Sequence, residues 1–222
     1  GVEILDVGPG GAGAGRQGGA LLQSADAGAT WTDIQDFDAP GATYGTASTT
    51  IGSVEPRLLD KSSRLTVTLA NGDLFDVTEA AMLAGANHFA YGADGRWEVL
   101  AAQKCTLQSG KTYVLSDFWR ARFGTEWAMT THQVGDALIL LDTDDLALIA
   151  TASSTIGLSR LYRGITYGRD ISTDSNRSWT YQAINLKPLS PILLNGHRDA
   201  SNDWSLSWVR RTRGVAEWRD NV

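Results

Sequence analysis

The chain has 222 residues, 42% hydrophobic and 20% charged, with a formal net charge of −6. That apolar content supports a folded core and excludes wholesale disorder. No apolar run approaches the roughly 18 residues of a membrane helix, no charged-then-apolar leader opens the chain, and the single Cys105 rules out an intrachain disulfide or a cysteine zinc site. Residue 1 is Gly rather than Met, which predicts a piece of a longer protein.

The charge is unevenly spread. Residues 156–222 hold ten Lys/Arg against six Asp/Glu, a balance of +4, and residues 1–155 carry −10. Opposite charge on two parts of a chain favours their docking, or head-to-tail packing of copies. A nucleic-acid patch is the weaker explanation, because no basic motif interleaved with stacking aromatics is present.

In chain order, residues 8–19 are a Gly-rich loop. Its GxGxxG-like spacings precede no βαβ pattern, so they predict no dinucleotide site. Residues 20–23 form a short strand that runs into Ser24, Asp26, Gly28, Thr30 and Trp31, the S-x-D-x-G-x-T-W pattern called an Asp-box. Its Ser and Asp tie down a tight turn, Gly supplies positive φ, and Trp covers the hairpin. Sialidase propellers carry several such boxes. A single copy predicts a structural staple rather than a glycosidase.

Residues 32–52 read as short strands broken at Pro40-Gly41. Leu65, Val67 and Leu69 alternate as a half-buried strand, Asn71-Gly72 predicts a type I′ hairpin turn, and Leu74–Val77 the return strand. Residues 78–87 predict one short helix with Thr78 as N-cap. Strands follow at 89–91, 96–102, 104–107 and 111–115, with turns at 92–95 and 108–110. Apolar strands are expected at 136–142 and 146–150 around an Asx-type turn at 142–145, where a calcium loop lacks the EF-hand pattern. Further strands are expected at 161–167, 178–185, 188–194 and 204–211. The class is mainly β: small antiparallel barrel or sandwich lobes with one short helix. The expected division is a hairpin-rich lobe over 1–55, a barrel-like domain over 56–155, and a β segment over 156–222 leading to a further module.

Chemistry is sparse. His88, His132 and His197 share no motif, no G-x-S-x-G elbow or phosphate loop is present, and Cys105 in a strand pattern is expected to be buried and inert. No catalytic, cofactor-binding or metal-binding residue is assigned, and no cofactor is expected. The Trp residues fall at strand positions and are expected mostly in the core.

Two segments carry a resemblance. Leu115 through Trp127 contains Arg120, Arg122, Gly124, Thr125 and Glu126. It resembles the L-x-x-L-L-R-G-R-x-G-T-E signature of tail-tip proteins of phages with long non-contractile tails and of gene transfer agents. Tyr181–Pro191 together with Leu206–Arg213 and Glu217–Asp220 is similar to their N-L-x-P-x-S-P … L-x-W-x-R-R-T-R … W stretch, and the Asp-box fits a further segment. The chain departs at Trp119 and Ala121, where that pattern has Leu and Gly.

The resemblance implies the host-specificity component of a baseplate or tail-tip hub, assembled in the bacterial cytoplasm and placed at the virion tail tip. Its implied partners are copies of itself as a trimer, distal tail and tape-measure proteins, and a host-surface glycan, with DNA only passing through the assembled channel. It also implies that Trp204–Arg213 begins a fibronectin-like module. The alternative, motivated by the Asp-box and the eight Trp, is a carbohydrate-binding or glycan-cleaving module.

Overall fold

The computed structural model describes residues 18–37, 41–141, 146, 149–168 and 175–211. The fold is mainly β and centres on a closed six-stranded antiparallel barrel. Its strands are β3 (Tyr44–Ala47), β4 (Leu65–Asn71), β5 (His88–Gly92), β6 (Glu98–Ser109), β7 (Thr112–Arg122) and β8 (Ala137–Leu140), in the order β3-β4-β7-β6-β5-β8. Alternate residues of each strand point inward. Leu65, Val67 and Leu69 thus meet Phe89, Tyr91, Leu100, Tyr113, Leu115, Phe118 and Leu138 in one buried core. The ring closes where Tyr44, Gly45 and Thr46 of β3 pair with Ile139, Leu138 and Ala137 of β8. Gly45 lets β3 lie close against β4 at a register shift between Tyr44 and Gly45: a Cβ there would lie 2.4 Å from the Thr68 carbonyl oxygen and 2.8 Å from the Leu69 Cα.

A second, four-stranded sheet has the order β10-β9-β1-β2, formed by β1 (Gly19–Ser24), β2 (Thr32–Phe37), β9 (Ser159–Thr166) and β10 (Arg177–Thr180). Strand β1 pairs with β9 over its whole length, from Gly19↔Thr166 to Ser24↔Leu161. The front of the chain is therefore joined by hydrogen bonds to the stretch beyond the barrel. A two-stranded ribbon, β11 (Ile192–Arg198) with β12 (Trp204–Val209), completes the described strands.

The expected helix is present as α1 (Glu79–Leu83). Thr78 caps it by accepting a hydrogen bond from the Ala81 N–H at 3.1 Å. The expected return strand at Leu74–Val77 does not form. Both edges of β4 are already taken by β3 and β7, and only Gly72 of the Asn71-Gly72 pair has a positive φ, +78°, so no type I′ turn is made. Leu74 instead enters the core, Asp76 accepts the Cys105 N–H at 2.8 Å, and the Val77 N–H reaches the Gln103 oxygen at 3.0 Å.

The pieces expected at 96–102 and 104–107 are one continuous strand, β6. The strand expected over 178–185 stops at Thr180, because Ala183 takes φ +53° and residues 184–186 make a single 3-10 turn. The strand expected over 188–194 begins only at Ile192, after Pro188 and Pro191, which have no N–H to donate to a ladder. The Gly-rich residues up to 17, the turn at 142–145, residues 147–148, and 212–222 with Trp218 lie outside the described residues.

The tryptophans depart most from expectation. Of the seven described, Trp97 is buried, Trp31, Trp119 and Trp179 are half-buried, and Trp127, Trp204 and Trp208 are exposed. The six-stranded ring is filled by Leu, Val, Phe and Tyr, and the wider indoles lie outside it.

Candidate functional site

The Asp-box residues form one hydrogen-bonded turn between β1 and β2. The Ser24 hydroxyl donates to Asp26 Oδ1 at 2.8 Å and accepts the Gly28 N–H at 2.8 Å. Asp26 accepts the Thr30 hydroxyl at 2.6 Å and the Thr30 N–H at 2.9 Å. Those two Thr30 bonds, with help from Ser24, bring the Asp26 carboxyl down to about 2. Ala27 and Gly28 turn the chain with φ +58° and +95°. Trp31 is covered by the Arg163 guanidinium of β9, 4.6 Å from its ring centre, and Arg163 also donates to Asn176 Oδ1 at 2.8 and 2.6 Å. The box thus pins the β1–β2 turn and meets β9 through this cation–π contact.

The second group lies at the end of β7. Ala121 and Phe123 take φ +53° and +55°, and Gly124 takes +82°, so the strand twists sharply as it leaves the barrel. Left-handed backbone at Ala121 gives a physical reason for glycine at that place in the resembling pattern. The twist sends neighbouring residues in opposite directions. Arg120 is 1% exposed and points inward, Thr125 is also buried, and Phe123 and Trp127 are more than half exposed. The Thr125 hydroxyl accepts the Val99 N–H at 3.0 Å and donates to the Arg122 oxygen at 2.9 Å, which locks the turn to β6.

Arg120, the first arginine of that motif, anchors a buried ionic network whose other members belong to no sequence motif. Its Nε and Nη2 donate to the two oxygens of Glu98, each at 2.8 Å, and its Nη1 donates to the Gly52 oxygen at 3.0 Å. Asp60 Oδ2 lies 3.9 Å from Nη1. Glu98 also accepts the Ala121 N–H at 2.8 Å and His132 Nε2 at 2.6 Å. His132 stacks on Tyr91 with ring centres 4.0 Å apart, and its Nδ1 sits 3.6 Å from Asp136. Asp136 accepts the Gln133 N–H at 2.8 Å and is paired with Arg96.

Burial alone would raise the Glu98 carboxyl, but hydrogen bonds from His132 and Arg120 outweigh it and hold the carboxyl below its ordinary value. Burial likewise opposes ionisation of Asp136, and the Arg96 bond overcomes it. Burial raises the Tyr91 hydroxyl, with Asp136 adding to the rise.

A His between two carboxylates is acid–base equipment in an open cleft. Here the side chains of Arg120, Glu98, His132 and Asp136 are at most 2% exposed and line no open cleft among the described residues. The network is a charge-compensated strut joining β6, β7 and the segment before β8. Besides Arg120 in the motif, the sequence offered as a signal the glutamate inside the apolar run from Trp97 to Ala102. His88 bonds the Gly85 oxygen through Nδ1 at 2.8 Å, and His197 lies on β11. Among the described residues, no group of three or more His, Cys, Asp or Glu is placed to hold a metal.

Glu126 ends the motif at the surface, where it pairs with Arg211. Arg211 also donates through Nε to the Ser190 oxygen at 2.9 Å. Three segments distant in sequence, 115–127, 181–191 and 206–213, therefore meet at one arginine. Beside it stands the β11–β12 ribbon, on which Trp204, Leu206 and Trp208 are 66, 68 and 58% exposed, with Leu193 and Leu194 also exposed.

Comparison with known proteins adds one match. Residues 42–139 fit the family model described as Rcc01698-like, C-terminal, a family name associated with gene transfer agents. The matched segment runs from the start of the barrel through all but the last residue of β8. No curated protein matches the chain.

Proposed function

We propose that this chain is a structural part of the tail tip or baseplate hub of a phage-like particle, supporting tail assembly, host attachment and DNA delivery. The observation that carries this reading is the meeting of the three tail-protein-like segments at Arg211, on a barrel whose residues 42–139 fit a gene-transfer-agent-associated family. Two features support it. The β11–β12 ribbon leaves a row of large apolar side chains in water, which marks a surface made for packing. The acidic first part and basic last part suit head-to-tail contacts between copies around an axis.

In this role the chain assembles as a trimer in the bacterial cytoplasm. It contacts distal tail and tape-measure proteins, and DNA passes through the finished channel. The test is to label the protein in producing cells, purify particles, and locate the label by immunogold electron microscopy, with light scattering on the isolated protein. Label at the tail tip and a mass of three chains are expected. A protein absent from particles and monomeric at all concentrations would refute the proposal.

A further inference from the structure

The four-stranded sheet has a cleft on the face opposite the Asp-box. It is lined by Gln23 of β1, Arg160 and Tyr162 of β9, Trp179 and Tyr181 at and beyond β10, and Thr155. Strand register explains this grouping. Arg160 is directly opposite Trp179, and Tyr162 is opposite Gln23, so the four side chains share one face. Ser24, Leu161 and Arg163 alternate to the other face, toward the box and Trp31.

The cleft combines an aromatic wall with polar groups that have spare capacity. Tyr162 and Trp179 pack edge to face with centres 5.8 Å apart, and Trp179 and Tyr181 are tilted at 5.9 Å. Gln23 Nε2 donates to the Tyr162 hydroxyl at 2.8 Å, which fixes the amide. Among the described residues, Arg160 is hydrogen-bonded only by a long contact from Nη1 to Gln23 Oε1 at 3.4 Å. Among the described residues no carboxylate pairs with it, although a guanidinium offers five donors. Strands β9 and β10 carry Arg160, Arg163 and Arg177 and no acid. The cleft volume is about 200 Å³, below the roughly 300–1,000 Å³ of sites for drug-sized ligands. One six-membered ring is the matching scale.

We infer that this cleft binds an acidic saccharide, with the carboxylate of a uronic-acid-type ring on Arg160 and the apolar C–H face of the ring on Trp179. A guanidinium fork recognises a carboxylate in a bidentate manner, and the negative face of an indole attracts the weakly positive C–H edge of a sugar. This inference does not rest on the tail-tip reading, since it concerns the isolated chain in solution.

The test is an NMR titration of the full chain with tri-galacturonate, and in parallel with neutral maltotriose and inorganic phosphate. Expected are shifts centred on the Trp179 indole N–H, affinity for maltotriose at least about tenfold weaker, and no displacement by phosphate. Arg160→Gln loses a charge-assisted pair and should bind the acid at least about tenfold more weakly with unchanged thermal stability. Trp179→Ala should abolish binding. Because that change also removes packing on Tyr162, Arg160→Gln is the deciding variant. No binding by the wild type, equal binding of neutral and acidic sugars, displacement by phosphate, or an unaffected Arg160→Gln would each overturn the inference.

Discussion

Arg120→Met separates a strut from a surface ion pair. The substitution keeps an aliphatic stem but removes two 2.8 Å bonds to Glu98 and one 3.0 Å bond to the Gly52 oxygen. It leaves a fully enclosed carboxylate with His132 and the Ala121 N–H as its remaining partners. Breaking a buried pair by deleting one partner costs about 3–5 kcal/mol. For a chain of this size that is a fall in Tm of about 6–20 °C.

Lys104→Met is the internal control. It removes a 2.9 Å pair with Asp76 whose two side chains are 44 and 51% exposed, and should cost about 0–1 kcal/mol. Urea denaturation followed by circular dichroism measures both. The double variant Arg120→Met/Glu98→Gln should be less destabilised than the sum of its singles by about 1–3 kcal/mol. An Arg120→Met protein within about 1 kcal/mol of wild type, indistinguishable from Lys104→Met, would refute the strut.

Three further outcomes are expected. Asp60 is brought from 3.8 to about 2 because hydrogen bonds from Ser63 and Ser62 outweigh its burial, and Glu98 and Asp136 are likewise depressed from 4.5 and 3.8. The Asp60 contribution is therefore lost as the pH falls towards about 2, and those of Glu98 and Asp136 are lost in the same direction as the pH falls below their ordinary range, so the urea midpoint should drop on acidification below about pH 4.5; a flat profile would contradict the assignment. Burial pushes the Cys105 thiol up to about 12, with Asp76 adding to the rise, so an aromatic disulfide reagent at pH 8 should label the native protein far more slowly than the urea-unfolded chain, and equal rates would refute its burial. Gly45→Ala places a methyl 2.4 Å from the Thr68 oxygen of β4 and should cost about 1–3 kcal/mol in thermal unfolding, whereas an unchanged Tm would mean the β3–β4 contact has room.

Local patterns made much of the fold legible. Alternation at Leu65, Val67 and Leu69 and the Thr78 cap are events within a few residues, and each forms where the sequence placed it; the turn expected at 108–110 forms slightly later, at 110–111, between β6 and β7. The Asp-box is local in the same sense, since its bonds span two to four residues. Leu74–Val77 failed because hairpin formation depends on whether the strand edge is free, and β7 occupies that edge through pairs 44 to 50 residues apart. The tryptophans failed because burial depends on which face a ring of six strands turns inward.

By itself, then, the sequence determined the mainly β class, the short helix, the Asp-box turn and the solitary buried thiol, all governed by near-neighbour propensity and period-two patterning. Only the tertiary structure decided that β1 pairs with β9 and that Glu98, Arg120, His132 and Asp136 share one buried site. It alone also joined Glu126 to Arg211 and set Arg160 beside Trp179. Apart from His132 and Asp136, these are contacts between residues 19 to 147 positions apart, fixed by strand register and barrel closure, and spacing along the chain carries no record of either.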